Sequence, residues 1–171
     1  MKIESTEFTA TDVQGFLDEM LDHERTVLAD RLGKASERLA RLAPRVEAGH
    51  GGDAWSAHEV LAHITVLSKF YGVLVHKISS GQLTEVDLLS NVNLRDVVGA
   101  QMAEIAPSDL LQMALADHAR TLKLLRATEA RSLRQEAKLE DGRTISADQI
   151  ARLPLINHLE LHVDQLERAL G

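Results

Sequence analysis

Apolar side chains recur at three- and four-residue spacing along nearly the whole chain. That periodicity, unbroken by any linker, commits the chain to packed amphipathic helices. From Asp12 the positions Val13, Phe16, Leu17, Met20, Val27, Leu28, Leu32, Leu39, Leu42 and Val46 fall on one helical stripe. Pro44 and the Gly49-His50-Gly51-Gly52 run end it. Ser56 followed by Glu59 is a capping box, and it opens a second helix that runs to about Ser80. A loop through Gly81 and Asn91-Val92-Asn93 leads to a short helix around 94–105. Pro107-Ser108-Asp109 starts a third long helix, which ends near Ala127. Glu136–Ile145 reads as a small hairpin or an extended loop about Asp141-Gly142. Ser146 with Gln149 makes another capping box for a final helix to Leu170, in which Pro154 should kink or delay the early turns. No repeat or low-complexity tract divides the chain. The expectation is one domain over residues 1–171: an all-α four-helix bundle, with a short extra helix and a small hairpin before the last helix.

Composition removes several function classes. The 19 basic and 26 acidic residues give a formal charge of −7, and only five residues are aromatic. Nucleic-acid binding needs a basic stripe, so no nucleic-acid partner is expected. There is no cysteine, which excludes disulfides, thiolate metal sites, iron–sulfur clusters and cysteine nucleophiles. The N-terminus lacks an apolar signal segment and no run approaches a membrane span, so a cytoplasmic protein without a membrane partner is expected.

Eight histidines stand out. At 100° per residue, Val60, His63, Ile64, Leu67, Phe70, Tyr71, Leu74 and Ile78 share the apolar stripe of the second helix. His58 and His76 fall on the opposite face, beside Thr65 and Lys69. On the last helix Leu155, Leu159, Val163, Leu166 and Leu170 define the buried face. His158 and His162, one turn apart, share its flank, with Gln165 below them. Asn157, Glu160, Asp164 and Arg168 lie away from it. His118 falls on a core stripe with Leu111, Leu115, Leu122 and Leu125. His23 sits at the edge of a stripe and His50 in the glycine loop. Trp55 reads as a packing anchor where the second helix begins.

A buried imidazole must hydrogen-bond or coordinate, because leaving a polar group unpaired costs roughly 2–7 kcal/mol. Two imidazoles at i and i+4 reach one metal, and a third from a facing helix would leave a fourth position open. The alternatives are partly exposed helix-flank residues for the pair and a hydrogen-bonded core histidine for His63, and the spacing alone does not separate these from a metal site. A ferritin-like di-iron site fails on counting. It needs two Glu-x-x-His motifs on core helices, and only Glu47-x-x-His50 is present, running into a glycine loop.

Trp55-Ser56, Glu59 and His63 resemble the signature that opens the second helix of the DinB-like superfamily. His158, His162 and Gln165 are similar to that superfamily's closing His-x-x-x-His-x-x-Gln pattern, with Asp164 where many members carry glycine. The resemblance spans nearly the whole chain. It implies an up-down-down-up four-helix bundle, one divalent metal per chain held by His63, His158 and His162, and a homodimer. Relatives in the superfamily include bacillithiol and mycothiol S-transferases and mycothiol-dependent maleylpyruvate isomerases.

The function expected on that basis is a metal-dependent enzyme of thiol S-transferase type, acting on a small-molecule thiol and an electrophilic substrate. A metal-dependent hydrolase and a non-catalytic metal- or ligand-binding homodimer are the alternatives. Zinc is the expected metal, since three imidazoles with an open position are its usual catalytic form, and nickel accepts the same ligands. His118 would orient a ligand or relay a proton if its helix lines the cleft.

Overall fold

The structure, a computed structural model, describes residues 8–87 and 101–171. Four long helices carry it: α1 (Ala10–Leu42), α2 (Ala57–Ser79), α3 (Pro107–Ala127), and α4, which opens at Ala147–Ile150 and continues through Ala151–Asn157 into His158–Leu170. Of the short helix expected around 94–105, residues 94–100 lie outside the described residues.

The caps follow from local chemistry. Thr9 and Asp12 close a reciprocal capping box at α1, as do Ser56 and Glu59 at α2 and Ser146 and Gln149 at α4. Each box satisfies amide donors that a helix start leaves without partners. Pro107 opens α3, where its missing N–H costs nothing.

Side-chain pairs give the helix directions. Arg25 pairs with the Leu125 carbonyl and Ser36 with His118, so α1 and α3 run antiparallel. Thr65 lies against Leu110 and Ser68 against His118, so α2 and α3 run parallel. Arg31 meets Asn157 and Glu160, and Arg38 meets Asp164 and Glu167, so α1 and α4 run parallel. The bundle is therefore up-down-down-up. Its centre is filled by fully buried residues from all four helices, among them Leu32, Leu61, Leu125 and Leu166.

Gly72 lets α2 and α3 approach. A Cβ there would lie 2.6 Å from Thr121 Oγ1, inside van der Waals contact. The hairpin is present as β2 (Glu136–Leu139) and β3 (Thr144–Ser146), antiparallel with Lys138 opposite Thr144. Gly142 turns it at φ +85°, which favours glycine. A two-residue strand that the sequence pattern does not reveal, β1 (Glu85–Val86), pairs parallel to β2.

Two expectations need correction, and a third is refined. Val13, Phe16, Leu17 and Met20 belong to the stripe of α1, yet each is about half exposed, because the first turns of α1 run beyond the rest of the bundle. Thr65 and His58, placed on the polar face of α2, are buried. Helix α2 is covered by α3 on that side as well, and the polar atoms find partners: Thr65 Oγ1 donates to the Leu61 carbonyl, while His58 bonds the Gly49 amide and the Ile105 carbonyl. Asn157, Glu160 and Asp164 do point away from the apolar core, but toward α1, where arginines spaced by seven residues meet them. Arg31 Nε lies 3.0 Å from Glu160, Arg38 Nε lies 2.9 Å from Glu167, and Arg45 closes the row on the carbonyls of Leu170 and Gly171.

Candidate metal centre

His63 projects from the second turn of α2 and His158 and His162 from adjacent turns of α4. One ring nitrogen from each lies within 4.8 Å of the other two. Ring centroids stand 5.4 Å apart for His63 and His158, 4.7 Å for His63 and His162, and 4.6 Å for His158 and His162. Among the described residues this is the one group of three or more histidine, cysteine or acidic side chains close enough to share an ion.

The local sequence of α4 explains how its two histidines reach that face. Pro154 cannot donate to the carbonyl four residues back, and its ring crowds that carbonyl. The chain responds with a π-helical stretch, Ala151–Asn157, before the regular helix resumes at His158. Wide turns of this kind recur at functional sites, where they reset the direction of the side chains that follow.

The three rings are half-buried. His162 Nδ1 lies 3.0 Å from Gln165 Oε1, and an amide oxygen only accepts, so Nδ1 carries the proton. Nε2 then presents its lone pair toward the cluster, and it is buried with no hydrogen-bond partner. Burial holds the His162 imidazole below its ordinary pKa, against an opposing upward pull from Gln165, so the ring is neutral near pH 7. A buried lone pair with nothing to accept is costly, and a dication bound by three neutral imidazoles would satisfy it. The donor set therefore fits a divalent metal.

Trp55 is not a buried anchor. Its side chain is 54% exposed and lies beside the cluster, 4.8 Å between ring centroids from His63 and 6.4 Å from His162, nearly parallel to the latter. The loop before it is folded tightly. Gly51 N donates to Glu59, and a Cβ on Gly51 would sit 1.9 Å from the Ala54 carbonyl, so only glycine fits. His58 anchors the loop from beneath through the Gly49 amide. His50 stays on the surface, 3.7 Å from Glu59 and 3.6 Å from Glu104. His23 and His76 are exposed.

His118 is 1% exposed, and its nitrogens bond Ser68 Oγ at 2.7 Å and Ser36 Oγ at 3.0 Å rather than a histidine of the cluster. Burial pushes its pKa down to about 4. The ring thus ties α1, α2 and α3 together. Sequence reasoning missed the roles of Trp55 and His58. The orienting bond from Gln165 was within reach, because i, i+3 side chains on a helix are neighbours.

Bundle and histidine cluster together define the class: an all-α, up-down-down-up four-helix bundle with three histidines gathered between its second and last helices. Two solved structures share the bundle fold, that of the mycothiol-dependent maleylpyruvate isomerase, with a TM-score of 0.65, and that of a histidine-to-alanine variant of the same enzyme, at 0.66. Each is 19% identical to this chain over 85% of its length, and the chain spans 60% of theirs. At that identity the likeness is one of fold. No protein-family model matches the chain, and no curated protein sequence does. No described helix is long and apolar enough to cross a membrane.

Proposed function

We propose that this protein is a divalent-metal-dependent enzyme of thiol S-transferase type, with His63, His158 and His162 as the ligands of one metal per chain. The observation that carries the reading is the buried Nε2 of His162, turned to the cluster by Gln165 and left without a partner. Zinc suits three neutral imidazoles with a position left open. Such an ion lowers the pKa of a thiol or water brought to it.

The chain's own residues supply the rest. With no cysteine present, the sulfur nucleophile comes from a small-molecule cosubstrate. The two solved structures described above are of a mycothiol-dependent enzyme, which supports a thiol over water as the activated group. Trp55 offers an exposed aromatic face beside the histidines on which an apolar part of the substrate can rest. Gln165 fixes the tautomer of one ligand. His118 holds α1, α2 and α3 in register through its two serines.

Elemental analysis of protein purified without a nickel column tests the metal. About one ion per chain is expected in the wild type by the three-ligand stoichiometry. It should be lost in His63→Ala and in the double variant His158→Ala, His162→Ala. Turnover is then measured on a panel of electrophiles with and without low-molecular-weight thiols. Activity that needs both metal and thiol supports the proposal. Metal-dependent turnover without thiol points to a hydrolase. Metal whose removal lowers the melting temperature steeply, with no turnover on the panel, points to a structural ion.

A further inference from the structure

Two surface features at one end of the bundle complement each other. The first is the start of α1. No side chain among residues 8–20 is buried, and Phe8, Val13, Phe16, Leu17 and Met20 are 72%, 51%, 51%, 45% and 50% exposed. Helix α1 has 33 residues, about 50 Å, whereas α3 has 21, about 32 Å. The excess of α1 projects as an arm whose spacing at 13, 16, 17 and 20 makes one apolar face. Among the described residues nothing covers that face. The arm is also acidic. Residues 8–24 contain Asp12, Asp18, Glu19, Asp22 and Glu24 and no lysine or arginine.

The second feature is a groove of about 460 Å³ between α2 and α3. Val73, Leu124 and Ala127 give it apolar walls, and Val73 is 45% exposed although it has a partner helix beside it. Lys69, Arg120 and Lys123 stand around it. Asp117 also lines it and is held by Arg120, so the two lysines leave the groove positive within a chain of net charge −7. Arg25 Nη1 bonds the Leu125 carbonyl, which roots the arm at the end of α3 where Leu124 and Ala127 close the groove.

We infer that the groove receives the arm of a second copy of this chain, in a reciprocal twofold dimer. Each copy lends its arm and accepts the other's, so the contact is closed and self-complementary. The apolar face of the arm meets the apolar walls, and Asp18 and Glu19 come to Lys69 and Lys123. Pairing of arm against arm is the competing geometry for two copies. It would bring Asp18 and Glu19 of both chains together around the central Phe16 and Leu17, and like charges so placed repel. The groove offers the opposite sign.

The absence of cysteine makes the test clean. Phe16→Cys and Val73→Cys are made separately in the full chain, mixed and oxidised. A disulfide joining the two different variants is expected, and because each carries one thiol the bond is intermolecular by construction. Phe16→Cys linking mainly to itself would overturn the inference in favour of arm-to-arm pairing. Sedimentation gives the second measurement. The wild type should be a dimer at micromolar concentration. Lys69→Glu with Lys123→Glu should weaken the dimer on the order of tenfold or more. Adding Asp18→Lys with Glu19→Lys to the same chain should restore it. A monomeric wild type, or a charge swap that restores nothing, would overturn the proposal. The metal reading does not depend on any of these outcomes, since none of the exchanged residues touches the histidine cluster.

Discussion

Gln165 Oε1 lies 3.0 Å from Nδ1 of His162 and so decides which nitrogen of that ring faces the cluster. A histidine free to choose its tautomer would spend part of its time with a proton on Nε2, where a ligand lone pair is needed. Gln165→Ala removes the acceptor while leaving all three imidazoles in place. The expected outcome is a loss of metal affinity of about 10–100-fold with little change in helical content. Competition with a chromophoric chelator measures the first and circular dichroism the second. Unchanged affinity would show that Gln165 only packs.

His118 makes stability depend on pH, and the sign follows from burial. The folded protein holds the ring neutral, with its pKa pushed down to about 4, while the unfolded chain binds a proton near the ordinary 6.5. Stability from this group is complete above pH 6.5 and is lost as pH falls from there toward 4, because the unfolded state takes up the proton first. The full difference is about 3 kcal/mol. His118→Gln can still bond a serine and cannot titrate. In urea titrations of metal-free protein, the wild type should lose more stability than the variant between pH 7.5 and 4.5. Parallel pH profiles would mean that His118 does not stay neutral in the fold.

The features legible in sequence were those that local chemistry dictates. Ser56 with Glu59 and Ser146 with Gln149 announced helix starts, and the stripe through His63 announced a face. The flank shared by His158 and His162 was visible for the same reason, since i and i+4 project together. What escaped depends on neighbours. Thr65 and His58 look polar on a helical wheel, but α2 is covered on more than one side, and carbonyls and loop amides receive their polar atoms. Trp55 looks like a core residue by type, yet the tight turn at Gly51 leaves it over the histidines. The stripe of α1 looks uniform from Val13 to Leu42, and only the lengths of the other helices reveal where its burial stops.

Gly72 and Thr121 set how closely α2 and α3 can approach. Gly72→Ala places a methyl group 2.6 Å from Thr121 Oγ1, so the helices must separate or Thr121 must turn away from the Asp117 carbonyl it bonds. Overpacking of this kind costs about 1–3 kcal/mol. Thr121→Ala removes the clashing oxygen, leaving the Thr121 Cβ position 3.9 Å from the new methyl, an ordinary contact. The double variant should therefore recover part of the stability lost by Gly72→Ala alone. A double-mutant cycle in urea measures the coupling. Additive effects would show that the interface relaxes without using Thr121.

Trp55 turns the cluster into its own reporter. It is the only tryptophan in the chain, and its ring centroid lies 4.8 Å from that of His63. A paramagnetic ion held by the three histidines would stand close enough to quench its fluorescence, whereas diamagnetic zinc would not quench by that route. Titration of metal-free protein with cobalt or nickel should give a quench that saturates at one ion per chain, as three ligands on one ion require. Zinc added first should prevent it. Reversal of the quench by a chelator would show that the ion, not oxidation of the indole, is responsible. His158→Ala keeps the tryptophan and its contact with His63 while removing one ligand, so its quench should need far more metal. A quench of the same midpoint in His158→Ala would place the ion elsewhere on the surface, and the three-histidine assignment would then fall.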